Sequence, residues 1–463
     1  MTIDRLLQPS VHGLTEDQLE SARSLEELGL LREIEEREYI KCVSPKDDDY
    51  FEVKERGCDE EIGLSEVPDG NITCPGCGRN IELYKKTRRS RLITHRDDRG
   101  VYSYVRDVIK HELDARASKI NNGLRFLDTR LKPAFTVRHG ANQTRFLIQF
   151  EYTSSEILDS IQVFNQPLVV VLVGNAVPQA TQYEQRGLTC VAASEIIEIG
   201  DSSADIEQLI SSARESKIPA GQLADKGIDL YSKHRSRYTW REFEHTVQHC
   251  FSASFETSRL LGGEESGEQV PEGVLSLDYE DSSHAYIWDA KYVQEPGESR
   301  GLSGEYENMA KHLVNFRRES NVKDIYDDLS GYLIISPGVS DSSMVRLAER
   351  IQRRLTENDD DWNGSVTHLQ FDALVHIFQA VQSDRDGVQA KSREFRKHVH
   401  RLFTKGNYHD PDPDTYMEAD QRVFDVSTED VDKIFREFIA PQEPETERVN
   451  IDGYLANIRS LDY

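Results

Sequence analysis

Apolar positions fall into two alternating rhythms along the chain. Short runs bounded by turn residues read as strands, and stretches with apolar residues three or four apart read as helices. The first helix opens at Leu14-Thr15-Glu16-Asp17-Gln18, where Thr15 and Gln18 form a capping-box pattern and Leu19, Ala22 and Leu25 share a face. After Leu28-Gly29 a second helical stretch, Leu30 to Arg37, leads into a strand-like Glu38-Tyr39-Ile40-Lys41. Val101 to Ile120 is helical in pattern. Arg145 to Tyr152 and Leu168 to Gly174 read as buried strands, and Thr189 to Ala193 as a third. Strands separated by helix-length segments predict an α/β domain. The polar run Asp225 to Arg237 reads as a linker. Trp240, Phe243, Glu244, Val247 and Phe251 then recur at helical spacing, which places Glu244 on the apolar face and turns Glu242 away.

The next strands carry the chemistry. Pro271-Glu272-Gly273 is a turn that opens Val274-Leu275-Ser276-Leu277. A second apolar run, Ala285-Tyr286-Ile287-Trp288, delivers Asp289-Ala290-Lys291. Residues two apart on a strand face one side, so Asp289 and Lys291 project together. Glu272 brings a second carboxylate from the neighbouring strand, with Asp278 as the other candidate. Two carboxylates in one cavity repel by about 4 kcal/mol at 4 Å and an effective dielectric near 20, which a hard divalent cation relieves. Such a cation polarises a phosphate and acidifies a water, and a lysine beside it steadies the developing charge. An acid on a buried helix face, as Glu244 is placed, needs a partner or a metal.

A helix from Tyr306 to Arg318, a strand from Gly331 to Pro337, an Arg- and Leu-rich helix and Thr367-His368-Leu369 follow. This order repeats that of the middle segment, where Gln149-Phe150-Glu151-Tyr152 stands in place of Trp288-Asp289-Ala290-Lys291-Tyr292. The middle segment is thus expected to be the same kind of domain without the site. Beyond Gln382 the pattern is helical and highly charged. His398 and His400 read as surface residues, and Asp410 to Asp414 as an acidic turn.

Charge complicates the picture. In 463 residues, 83 Asp and Glu against 56 Lys and Arg give a net charge of -27, unfavourable for gripping phosphates. A salt-laden, halophilic cytoplasm would screen that charge, and basic residues are concentrated locally. They cluster in Tyr84-Lys85-Lys86-Thr87-Arg88-Arg89-Ser90-Arg91, where Lys85, Lys86, Arg88, Arg89 and Arg91 are the candidate nucleic-acid contacts. Just upstream, Cys42, Cys58, Cys74 and Cys77 offer four thiolates, with the last pair in a Cys74-Pro75-Gly76-Cys77 knuckle suited to a structural Zn²⁺. Cys190 and Cys250 lie in apolar surroundings and read as core. No apolar run is long enough to span a bilayer and the N-terminal residues lack a signal-peptide pattern, so a soluble, cytoplasmic protein is expected.

The PEG turn and the DAK strand resemble the PD-(D/E)xK nuclease superfamily, with Glu272 where an aspartate is usual. The likeness is strongest to the cleavage domain of type IIS restriction enzymes of the FokI kind, which carry a PDG turn, a strand ending in D-T-K and an upstream Leu-Gly-Gly like Leu261-Gly262-Gly263. It runs from about Trp240 to about Phe378. The knuckle resembles zinc-ribbon modules, and the N-terminal helices resemble a small winged-helix unit. The resemblances imply a multidomain α/β protein. Residues 1–84 would form a helical and zinc-ribbon-like module, and 85–235 a basic segment with the middle α/β domain. Residues 236–385 would form a restriction-endonuclease-like α/β/α cleavage domain, and 386–463 a helical C-terminal extension. They further imply a Mg²⁺-dependent endonuclease acting on double-stranded DNA, with transient homodimerisation and a role in defence. Catalysis would fall to Glu272, Asp289, Lys291 and Glu244, with Glu272 and Asp289 as metal ligands. The alternative is a non-catalytic, zinc-containing DNA-binding regulator built on a decayed nuclease fold.

Overall fold

A computed structural model describes residues 3–41, 61–63, 72–73, 80–81, 88–261, 271–318, 328–405 and 423–439, apart from single residues and short loops within them. The chain is mixed α/β and divides into two compact units. One holds Met1–Arg125, Arg130–Ser154 and Gln166–Lys217; the other holds Phe126–Thr129, Ser155–Asn165 and Ile218–Tyr463.

In the first unit, the capping box at Thr15 starts a helix at Glu16–Glu27, as the sequence suggests. The stretch after it departs from expectation. Glu35–Lys41 is a strand where helix was expected from Leu30 to Arg37, and it pairs antiparallel with Arg88–His95. Tertiary pairing here overrides local helical spacing. The same strand takes in Arg88, Arg89 and Arg91 of the basic stretch, opposite Ile40, Tyr39 and Arg37. The middle of the chain forms a five-stranded sheet. Its order is Thr189–Ala192, Leu168–Leu172, Asn142–Gln149, Ala134–His139, Arg116–Lys119. The helix expected over Val101–Ile120 covers Asp98–Glu112, and Arg116–Lys119 is instead the sheet's edge strand. That edge strand and the Ala134/Asn142 hairpin are antiparallel, whereas Leu168–Leu172 and Thr189–Ala192 run parallel to Asn142–Gln149. Leu168–Leu172 is buried at every position, which is why it reads as an unbroken apolar run rather than an alternating one.

The second unit is built on a six-stranded sheet whose spatial order follows the chain. Its strands are Thr257–Leu260, Gly273–Tyr279, Ser282–Ala290, Asp328–Ser336, Ser365–Gln370 and Val423–Val426. The first three are antiparallel neighbours and the last three continue parallel to Ser282–Ala290. Alternation sorts the side chains into two cores. Ala285, Ile287, Tyr332, Ile334 and Val366 pack with the helices Tyr306–Arg318 and Asp341–Glu357. On the opposite face Trp288 meets Phe251 of the helix Trp240–Ser254, and Tyr286 meets Phe403 of the helix Ser392–Lys405. The result is an α/β/α sandwich.

One expectation fails in this unit and another needs an addition. The polar run Asp225–Arg237 lies largely in a helix, Ala220–His234, with Leu223, Leu230 and Tyr231 buried at helical spacing. The stretch beyond 386, expected to be mainly helical, carries the helices Ser392–Lys405 and Thr428–Ile439 but also supplies the sixth strand, Val423–Val426, buried at three of its four positions. Alternating strands this short carry little sequence signal. One glycine fixes the hairpin's packing. A Cβ at Gly273 would stand 2.3 Å from the indole of Trp288, directly across the pair.

Candidate active site

The hairpin register brings the site together. Gly273 lies opposite Trp288, so Glu272, one residue before the strand, sits beside Asp289 and Ala290. Its carboxylate accepts the Ala290 N–H, and its backbone carbonyl accepts the Leu261 N–H at 2.7 Å. Both ends of this short segment are thereby pinned. Lys291 leaves the strand with its N–H on the Ile335 carbonyl at 2.7 Å, which ties it to the next parallel strand. Its ammonium lies 3.7 Å from Glu272 Oε1 and 3.3 Å from Glu305 Oε2. Asp289 is 1 % exposed. Its Oδ2 accepts the Tyr332 hydroxyl and lies 3.4 Å from His312 Nδ1, while its Oδ1 is buried with no hydrogen-bond partner. Glu244 reaches the group from the helix Trp240–Ser254 and hydrogen-bonds Glu272.

Charge is balanced unevenly across the cluster. Burial, then the charge of Glu272, pushes the Glu244 carboxyl up to about 10, so at neutral pH it holds a proton. Burial also raises Glu272, against the opposing pull of Lys291. Burial works against ionised Asp289 too, but Lys291 and the donors His312 and Tyr332 outweigh it and hold this carboxyl low. Lys291 suffers the same burial; Asp289, Glu272 and Glu305 overcome it and raise its pKa, so the ammonium stays charged. The cluster therefore contains a fixed cation, a fixed anion and a carboxylate pair that retains a proton. Environments that split like groups in this way are typical of reactive sites.

The four catalytic candidates named from sequence, Glu272, Asp289, Lys291 and Glu244, are thus neighbours. Asp278 is not among them: it pairs across the hairpin with Ser283, at the far end from Asp289, and accepts from the hydroxyls of Ser276 and Ser283. Three further members, His312, Tyr332 and Glu305, were not singled out from sequence. Their helix and strand were legible, but only the pairing of Asp289 with Ile334 brings Tyr332 alongside.

The helix face carrying Glu244 differs from the one expected. Glu242 is buried and Trp240 is 51 % exposed. Thr239 caps the helix and Glu242 is its capping-box partner, accepting the Thr239 N–H at 2.7 Å. Glu242 also accepts the Leu127 N–H at 2.9 Å and the Ser160 hydroxyl. The Thr239-x-x-Glu242 pattern was present in the sequence as a signal for this role. His400 is likewise not a surface residue. It is half-buried, with Nδ1 2.6 Å from the Tyr286 hydroxyl and its ring 4.1 Å from that of His284. Cys42, Cys58, Cys74, Cys77, Lys85 and Lys86 lie outside the described residues, as do Gly262 and Gly263. Cys250 is buried and Cys190 partly so.

Among the described residues, no three His, Cys, Asp or Glu side chains form a ready-made metal cage. That is compatible with Mg²⁺, which is commonly held by one or two carboxylates together with substrate phosphates. The buried, donorless Oδ1 of Asp289 and the proton-holding Glu244–Glu272 pair fit such a cation, since both are costly arrangements that a positive charge would relieve.

No protein-family model and no curated protein matches the chain. Among solved structures, restriction endonuclease FokI is similar over 78% of this chain and 57% of that one, at 10% identity and a TM-score of 0.26. FokI bound to DNA is similar over 72% and 56%, at 9% identity and a TM-score of 0.27. The chain thus spans less than two thirds of the length of either. No helix among the described residues is long and apolar enough to cross a membrane.

Proposed function

We propose that the chain is a Mg²⁺-dependent DNA endonuclease acting through Glu272, Asp289 and Lys291, with Glu244 assisting. The observation that supports this is the convergence of Asp289, Glu272 and Lys291, with a buried oxygen of Asp289 left without a donor. Asp289 and Glu272 would hold the cation, whose contribution when bound is to polarise the phosphate and acidify a water. Lys291, kept charged by its carboxylate neighbours, orients that water and steadies charge on the phosphate. Glu244 keeps a proton against Glu272, which limits the negative charge facing an anionic substrate. Products with 5′-phosphate and 3′-hydroxyl ends are expected.

DNA as the substrate class rests on the likeness of the PEG turn and DAK strand to the superfamily motif. The basic residues Lys85, Lys86, Arg88, Arg89 and Arg91 are proposed as backbone contacts, and Cys42, Cys58, Cys74 and Cys77 as a structural zinc site. Pairing of two cleavage domains is proposed on the same likeness. The test is nicking of supercoiled plasmid by the full chain with Mg²⁺ or with EDTA. Mg²⁺-dependent nicking that Asp289→Ala abolishes is the expected result. Nicking by Asp289→Ala equal to that of the parent would overturn the site assignment, and a parent that binds DNA without nicking it would favour the non-catalytic regulator.

A further inference from the structure

The two oxygens of Asp289 are treated differently by their surroundings. Oδ2 is claimed by the Tyr332 hydroxyl and faces His312 Nδ1 at 3.4 Å. Oδ1 is equally buried and has no partner. Tyr332 is 0 % exposed, and its hydroxyl donates to Oδ2. The phenol comes from the parallel strand Asp328–Ser336 and the imidazole from the helix Tyr306–Arg318 that covers the same sheet face. Two rigid elements therefore converge on one oxygen and leave the other bare. A carboxylate free to rotate would instead divide its donors between both oxygens.

We infer that Tyr332 and His312 are positioning residues that lock the Asp289 carboxylate so that Oδ1 alone is offered to a divalent cation. The inference rests on the metal-dependent reading above. A ligand presented through one oxygen suits the small octahedral cations Mg²⁺ and Mn²⁺, whereas Ca²⁺ accepts carboxylates in one- or two-oxygen contact. Releasing Oδ2 thus changes which cation the site prefers, as well as how tightly it binds.

The experiment is titration calorimetry of the full chain, without DNA, with Mn²⁺ and separately with Ca²⁺. Tyr332→Phe removes only the hydroxyl and is expected to weaken Mn²⁺ binding by about 10- to 100-fold, the usual worth of a partner that orients a ligand. Ca²⁺ binding should weaken several-fold less, so the preference for Mn²⁺ falls. His312→Gln should act in the same direction with a smaller change, because its contact is longer. Mn²⁺ affinity unchanged in Tyr332→Phe would overturn the inference and leave the hydrolytic reading standing. Equal weakening of both cations, with a lowered unfolding temperature in EDTA, would show a general packing role and overturn it as well. A parent chain that binds neither cation would remove both readings.

Discussion

The middle sheet and the second unit's sheet share strand order and direction over five strands: an antiparallel edge, an antiparallel hairpin, then two parallel strands. A helix precedes the edge strand in each, Asp98–Glu112 in one and Trp240–Ser254 in the other. What the sheets do not share is the chemistry at the end of the hairpin. The second sheet ends on Asp289 and Lys291, both buried and surrounded by acids and donors. The middle strand ends on Gln149, whose amide donates to the Glu151 carbonyl at 3.0 Å, and Glu151 itself is exposed. With the pair Ala134–Leu147 set against Gly273–Trp288, the positions of Asp289 and Lys291 are taken in the middle sheet by the buried, apolar Ile148 and Phe150. The same strand arrangement therefore occurs without the cluster, whose buried charges carry a cost in desolvation.

The most severe way to probe this contrast is to make the second sheet resemble the middle one. Asp289→Asn is expected to lower Mg²⁺-dependent nicking by at least ~10³-fold, and Lys291→Ala by at least ~10²-fold, the typical worth of one preorganised electrostatic contact. Gln149→Ala, by contrast, should leave the nicking rate unchanged. Single-turnover rates on plasmid measure all three, and a rate loss in Gln149→Ala would end the asymmetry.

A second difference is carried by His249, buried on the helix Trp240–Ser254 with its Nε2 2.7 Å from the Val163 carbonyl. Burial lowers this imidazole to about 4, so it is neutral in the folded chain. Between pH 4 and the ordinary value of 6.5 the unfolded chain binds the extra proton, so stability falls as pH falls through that window. The loss amounts to roughly 3 kcal/mol at 1.36 kcal/mol per pKa unit. His249→Gln should flatten that part of the stability–pH curve in urea unfolding, and an unaltered curve would contradict the burial argument.

The smallest effect separates the two hairpins themselves. Gly273 faces Trp288 where Ala134 faces Leu147. Gly273→Ala should destabilise the chain by about 1–3 kcal/mol through overpacking against the indole. Urea midpoints report it, and a midpoint equal to the parent's would mean that the indole gives way freely.

How far the sequence carried these conclusions depends on the reach of each interaction. The strands Gly273–Tyr279 and Ser282–Ala290 were legible because alternation is a local property, and so was the convergence of Asp289 with Lys291. Tyr332 and His312 were visible only as members of a strand and a helix. Their closeness to Asp289 comes from pairing between elements more than twenty residues apart, which one sequence does not encode as a pattern. Glu242 illustrates the opposite failure. Its cap was local and readable, but helical spacing counted from Trp240 assigned the wrong face. The strand Val423–Val426 is too short to stand out between charged helical stretches, and only its partner Ser365–Gln370 defines it.

The six strands of the second sheet stand side by side in the order in which a ribosome would make them. Each new strand therefore finds the edge it needs already present, with no earlier pair to be prised apart. By the time Ser336 is synthesised, Glu244, Glu272, Asp289, Lys291, Glu305, His312 and Tyr332 all exist in one nascent chain. Elongation adds about 5–20 residues per second, slow beside the microseconds in which hairpins form. The hairpin that presents Glu272 and Asp289 thus has time to close before the parallel strands arrive. The two last strands widen a sheet in which all seven of these residues are by then present.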